Sequence, residues 1–572
     1  MRSVSAVVVF AFMGSRALAS SRWLGFALLS WAGCYTGLPE GDRSATTGVG
    51  VTFGSLGDTE SDDVPDSDGE SESTSDAVPD LGNDDASESS SGGVIDDPTA
   101  PREGALDITP TGVHVNQGIA ITIADAGLPI AGGTRSAKIV HGRRTLVFGT
   151  WTTAPGFVPR TIRGELHLDR TDGTRETLVS EIAVNGPSGP GELDAHCTWT
   201  IEPEQLPAGT RWSVSLHELE LVPEGVPTTT PAPSLPAVGN SELDDEDGNQ
   251  RVRVVLIPYR HQFNGCDRLA PSDAATIDGH RRAMEMQYPI QDIEITLHPE
   301  VAFGASMATG DAVLTNVVEL RAAEAPAADV YYYGLLWPCD AETNYGGLGY
   351  VPFNPSTVED APWRAAVGIY YDYAPDYTYQ TMVHELGHNH GRSHVACAGT
   401  EGETDPGYPI PGGTTGVLGW GIHDGLFRPA TNTDYMTYCG TQWASTYAWQ
   451  RTLSVVDALT VAVGGAPPHS RGDADDPPGA LAIVVRDGEV TATGHLARVS
   501  ATRAEGIARW TMRDGSVSWT ALQRDQVPDS TAEFFTVAAP GRGFDDVHDL
   551  ELDASSGKVT LPRSAIVAAT HR

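Results

Sequence analysis

The sequence predicts an α+β chain of several domains, in which a mixed, mostly parallel α/β layer is flanked by a β-sandwich before it and a small β domain after it. Three observations carry this expectation. Short β-rich runs separated by Gly and Pro turns fill residues 105–222. Runs of strand and helical period alternate over 251–373. Short strands return over 480–572, with no helical stripe among them.

The elements follow in order. Val113–Ile123, Thr145–Thr150, Thr161–Asp169 and Arg211–Leu221 have the composition and spacing of sandwich strands. A Pro/Thr-rich stretch and an acidic loop at 223–250 read as a linker; Glu242–Asp247 lacks the register of a calcium-binding loop. Beyond it, Val252–Pro258 reads as a buried strand, Ser272–Gln287 as a helix and Ile293–Leu297 as a strand. Gly310–Glu324 is a second helix, and Asp329–Leu336 and Ala365–Tyr371 are further strands. The α/β domain is expected over 251–466, with a Pro-rich linker at 467–479 before the last β domain.

The 572 residues carry 36 Lys+Arg against 76 Asp+Glu, a formal charge of −40. Neutralising phosphates needs a basic patch, so nucleic acid is excluded as the main partner. Between Tyr35 and Glu103 there are 18 acidic and 2 basic residues, so the charge is concentrated in one segment. Residues 35–104 are too poor in apolar side chains to offset ordering entropy, and read as an extended acidic tether.

Ahead of the tether lie two apolar runs, Val4–Met13 and Trp23–Ala32, each short of the ~20 residues of a spanning helix. With Arg16 and Arg22 between them they read as an export signal over residues 1–34. Ala32-Gly33-Cys34 resembles a bacterial lipobox, although Trp31 stands where Leu is usual. That resemblance implies lipidation of Cys34 and attachment to a bacterial cell-envelope membrane.

After the last α/β strand comes His384-Glu385-Leu386-Gly387-His388-Asn389-His390-Gly391-Arg392-Ser393-His394. On a helix, His384 and His388 stand one turn apart on one face, so both imidazoles reach one ion. Gly391 ends the helix and reverses the chain, which brings in His394. Three His ligands at ~2.0–2.1 Å leave the fourth tetrahedral position to water, the pattern of one catalytic Zn2+. Five fixed positions recur by chance in such a chain with a probability of about 10⁻⁴.

This HExxHxxGxxH arrangement resembles the metzincin clan of zinc metalloproteases over roughly residues 250–465. Asp434-Tyr435-Met436-Thr437-Tyr438-Cys439 matches the clan's methionine turn, which assigns Met436 to the floor of the site. Within the clan the likeness extends to StcE-like secreted peptidases that cleave mucin-type glycoproteins. It is carried there by Val113–Gly118, the active-site helix, and Asp434–Cys439 with Trp443, Ser445 and Tyr447. The resemblance implies an exported endopeptidase acting on proteins or glycoproteins. Glu385 would be its general base, and Tyr438 a hydrogen-bond donor to the oxyanion. His390 occupies a variable position of the motif and is expected at the surface or behind the ligands; His423 has no motif around it.

Six cysteines are present, and a lipidated Cys34 leaves an odd number. Cys397 follows the third ligand and Cys439 the methionine turn, so a bridge between them would clamp the site; Cys266 and Cys339 are a second candidate pair. A surface adhesin or glycan-binding protein with a protease-like core is the alternative reading. Against it, His384, Glu385, His388 and His394 are all intact. A latent zymogen is a third reading, with no switch cysteine or aspartate motif recognisable to argue it.

Overall fold

The computed structural model describes residues 103–189, 196–219, 232–246, 248–397, 402–464, 479–497, 499 and 503–570. The export signal, Cys34 and the acidic tether up to residue 102 lie outside them. The described chain is an α+β arrangement of several sheets with five α-helices.

Residues 108–246 build two antiparallel sheets. One runs Leu128–Pro129, Ala120–Asp125, Ile108–Asn116, Thr145–Thr153, Cys197–Ile201, and the other Ser234–Leu235, Arg211–Glu218, Arg160–Asp169, Arg175–Val184. Val113, Val115, Ile121 and Trp199 of the first share one apolar core with Ile162, Leu166, Trp212 and Val214 of the second, as alternation along each strand requires. The stretch read as linker adds to the second of these sheets and forms half of a separate two-stranded parallel one. Ser234–Leu235 and Ser241–Glu242 both pair with Arg211–Glu218, and Asp245–Glu246 pairs with Ile139–Val140. Two-residue strands carry no periodicity, which is why composition alone read them as linker. Cys197 is the free cysteine of the described residues. It is buried where a Cβ on Gly164 would stand 2.6 Å from its Sγ, and burial pushes its thiol pKa up to about 12.

The central sheet is organised around one long strand, Arg251–Phe263. It pairs in parallel with Asp292–Leu297, Val301–Phe303 and Val330–Leu336, and antiparallel with Cys266–Leu269. Val330–Leu336 pairs in parallel with Ala365–Ile369, which pairs antiparallel with the short edge strand Gly347–Gly349. Helix α1 (Ala274–Gln287), capped by the Asp273 carboxylate, and α2 (Asp311–Glu324) supply the crossovers.

The two faces of this sheet enter different cores. Tyr331, Tyr333 and Leu335 pack with Met284 of α1, with Met382, Val383 and Leu386 of α3 (Pro375–Asn389), and with the sandwich. Tyr332 and Leu336 pack with Val313, Leu314 and Val317 of α2 on the other face. Helix α4 (Thr446–Gly464) joins the sandwich to the α/β layer: Trp449 Nε1 donates to Lys138 O, and Arg143 stacks over the Trp449 ring.

The last sheet is antiparallel, in the order Glu489–Leu496, Ala480–Arg486, Glu533–Ala538, Val517–Asp525, Gly506–Met512, Val547–Ala554, Gly557–Pro562. Ala480, Ala482 and Val484 face α2, while Leu481, Ile483 and Val485 face Trp510 and Phe535. Burial on both faces explains the unbroken apolar run from Ala480 to Val485. A helix not expected from sequence, α5 (Arg563–Thr570), covers this sheet with Ile566 and Ala569; eight residues are too few to show a stripe. Among the described residues no helix is long and apolar enough to cross a membrane.

Candidate metal centre

Helix α3 begins with Pro375 in its first turn and ends at Asn389 against the central sheet. Its exit is a Schellman turn: Arg392 N donates to Gly387 O at 3.1 Å and Gly391 N to His388 O at 2.8 Å. Gly391 has φ +77°, and a Cβ there would also meet Pro355 at 2.6 Å, so glycine is required twice over. The chain returns through His394 and is fastened to the methionine turn by Val395 N donating to Met436 O at 2.8 Å.

This geometry brings His384, His388 and His394 together, and it adds a residue the sequence did not point to. Asp529, on the loop after the strand Val517–Asp525, stands with one carboxylate oxygen 3.0 Å from His388 Nε2 and the other 3.2 Å from His394 Nε2; His384 Nε2 is 3.9 Å away. The four ligand atoms all lie within 4.8 Å of one another and could hold a metal ion. Tetrahedral ligands at about 2.0–2.1 Å from zinc stand about 3.3 Å apart, so the spacing fits.

Two of the rings are oriented from behind. His384 Nδ1–H donates to Tyr435 O at 2.7 Å and His388 Nδ1–H to Arg392 O at 2.6 Å, which turns both Nε2 atoms to the site. His384 Nε2 is buried without a hydrogen-bond partner, an orphaned acceptor that a cation would satisfy. Burial pulls the His384 pKa down to about 3, with His388 adding to the effect, and burial also lowers His388. A lowered pKa favours the neutral ring that ligation requires.

The two carboxyls are driven apart. Burial, and then the charge of Asp529, raise Glu385 well above the usual carboxylate range. Burial would raise Asp529 as well, but hydrogen bonds to His388 and His394 outweigh it and hold that carboxyl far below its usual range. Glu385 is 3% exposed and lies against the edge strand: a Cβ on Gly347 would meet its Oε1 at 2.4 Å. Its Oε2 has no hydrogen-bond partner.

Tyr438 is placed at the site, its hydroxyl oxygen 2.9 Å from His394 Nε2 and its ring stacked on His384. Met436 is fully buried beneath α3. His390 is neither at the surface nor among the ligands. It is 2% exposed, donates from Nδ1 to Leu386 O at 2.6 Å and stacks on Tyr331, because its position points into the core behind the helix. His423 pairs with Glu285, far along the chain from the motif.

Both expected disulfides are present. Cys397–Cys439 ties the segment after His394 to the turn after Met436, and Cys266–Cys339 staples the far end of the central sheet. Two bridges fit a chain that folds in an oxidising compartment. Val113–Gly118 and Trp443, singled out together in the sequence, meet in space: Trp443 Nε1 donates to Gly118 O at 2.6 Å. Asp529 had no comparable signal, since an aspartate in a turn is one of 76 acidic residues with no motif around it. Comparison with known proteins finds no matching family model and no matching curated sequence.

Proposed function

We propose that this chain is an exported zinc endopeptidase that hydrolyses peptide bonds of extracellular proteins, glycoproteins included. One observation carries the reading: three imidazoles converge on one point beside a buried carboxyl, Glu385, whose Oε2 is unpartnered. His384, His388 and His394 would hold the metal. Zinc in such a site supplies Lewis acidity, polarising a carbonyl and easing the deprotonation of water.

The chain's own residues account for the rest. The Glu385 carboxylate takes the proton of the attacking water and passes it to the leaving amine nitrogen as the C–N bond breaks. Burial raises its proton affinity, which suits the first of these steps. The Tyr438 hydroxyl, at the rim and 38% exposed, donates to the developing oxyanion. The edge strand Gly347–Gly349 offers ladder groups to an extended peptide directly beside Glu385. The lipobox-like Cys34 supports retention at a bacterial envelope through a lipid.

The test uses the full chain, its Glu385→Gln variant, and casein with mucin-type glycoproteins as substrates. The expected result is one zinc per chain in both proteins and chelator-sensitive cleavage that Glu385→Gln abolishes. Glycoprotein binding without cleavage, persisting when Asp529 is also substituted, would favour a surface adhesin instead.

A further inference from the structure

We infer that the loop Gln526–Thr531 is an inhibitory latch built into the chain, holding Asp529 in the coordination position that hydrolysis needs. The inference concerns regulation of the same site and rests on the peptidase reading above.

The path of the loop is the first argument. It joins the strands Val517–Asp525 and Glu533–Ala538 of the last sheet, yet it reaches across to the central sheet. Val351, two residues past the edge strand, donates its N–H to Gln526 O at 2.9 Å in an antiparallel bridge. The loop thus begins on the backbone groups that an extended substrate would use. Three residues later Asp529 meets His388 and His394 at 3.0 and 3.2 Å. With a metal held by the three histidines, a carboxylate there would take the position an attacking water needs.

The anchoring of the loop is the second. Ser530 Oγ donates to Asp311 Oδ1 at 2.8 Å, and Arg486 Nη2 donates to Asp311 Oδ2 at 2.7 Å. Asp311 opens α2 and is 1% exposed, so the loop is pinned to the layer that carries the site. These anchors are a few polar contacts at the end of a hairpin, together with one apolar side chain, Val527, which is 7% exposed and belongs to the core shared with α2. The seven-stranded sheet behind it keeps its own core of Trp510, Phe535 and Leu550 whether or not the loop is seated. Lifting the latch would thus expose Val527 while leaving that core of the sheet in place.

A permanent fourth ligand of a structural metal is the competing assignment, and the two differ in what removal of Asp529 does. The test compares zinc-loaded full-length protein with Asp529→Ala and Asp529→Asn. It measures zinc retained through gel filtration, affinity for acetohydroxamate, and cleavage of casein. Expected for Asp529→Ala are one retained zinc per chain, hydroxamate binding at least about tenfold tighter than in the parent, and cleavage at least about tenfold faster. Asp529→Asn should fall between. Loss of zinc from Asp529→Ala, or hydroxamate affinity equal to the parent's, would overturn the latch. Tighter hydroxamate binding without any cleavage would uphold the latch and remove the peptidase reading. If Asp529→Ala does not fold, Ser530→Ala, which frees the loop from Asp311, must show the same direction in hydroxamate affinity or the latch fails.

Discussion

Gly387 and Met436 are in such close contact that a Cβ on the glycine would lie 2.5 Å from the methionine Sδ and 2.9 Å from the Tyr435 ring. The helix carrying two candidate ligands therefore rests directly on the turn beneath it. In a free helix Gly→Ala is stabilising by about 1 kcal/mol. Here overpacking should win: Gly387→Ala is expected to destabilise by about 1–3 kcal/mol and to weaken zinc binding by shifting the turn. Met436→Leu, nearly isosteric, should cost under about 1.5 kcal/mol and keep its zinc. Urea unfolding of both variants, with zinc titration, checks this. A raised midpoint for Gly387→Ala would show that the turn yields freely.

The Cys397–Cys439 bridge closes a loop of sequence separation 42 that contains the whole wall between the third histidine and the methionine turn. Chain-entropy reasoning puts its contribution near 4 kcal/mol, an upper figure because the turn is also held by backbone bonds. Replacing both cysteines with serine should lower the thermal midpoint. It should also lower zinc affinity more than the same change at Cys266 and Cys339, which lie away from the ligands. Equal effects on zinc would mean that the clamp has no local role.

Much of the α/β layer was legible because its elements have one clear period each. Helices α1 and α2 begin within a residue or two of where their apolar spacing places them. The ligand triad was legible because a helix fixes the relation of His384 to His388 and a glycine fixes the reversal to His394. Asp529 was not, because it comes to the site from 141 residues beyond His388 through sheet-to-sheet packing, which no local spacing encodes. The short strands at 234–246 escaped for the opposite reason, being too brief to show any period.

His280 gives the fold a defined acid weakness. It is fully buried on α1 between the Tyr379 and Tyr333 rings, and neither ring nitrogen has a hydrogen-bond partner. Burial lowers its pKa from 6.5 to about 3. The unfolded chain therefore binds a proton below pH 6.5 that the folded chain refuses. Stability from this group is present above that pH and is lost as pH falls toward 3, by about 1.4 kcal/mol per unit. Between pH 7 and pH 5 the parent should lose roughly 2 kcal/mol more than His280→Leu. Urea midpoints of both proteins at the two pH values measure the difference; parallel losses would mean that the ring finds a partner when protonated.

Arg392 and Asp434 form the buried ion pair behind the site, and its two halves are not equivalent. The guanidinium is 1% exposed, lies over the Tyr447 ring and comes within 3.9 Å of an Asp434 oxygen, while all three of its nitrogens lack hydrogen-bond partners. Asp434 in turn accepts from Met436 N at 2.9 Å and from Ser445, so it shapes the turn as well as balancing the charge. Asp434→Ala strands a buried cation that cannot shed its proton, and should cost about 3–5 kcal/mol. Arg392→Leu leaves a carboxyl that can take up a proton and keeps two of its donors, so it should cost clearly less. Denaturant unfolding at neutral pH ranks the two. If the arginine variant proves the weaker, the stacking of its guanidinium on Tyr447, rather than the charge balance, is what holds this wall of the metal site.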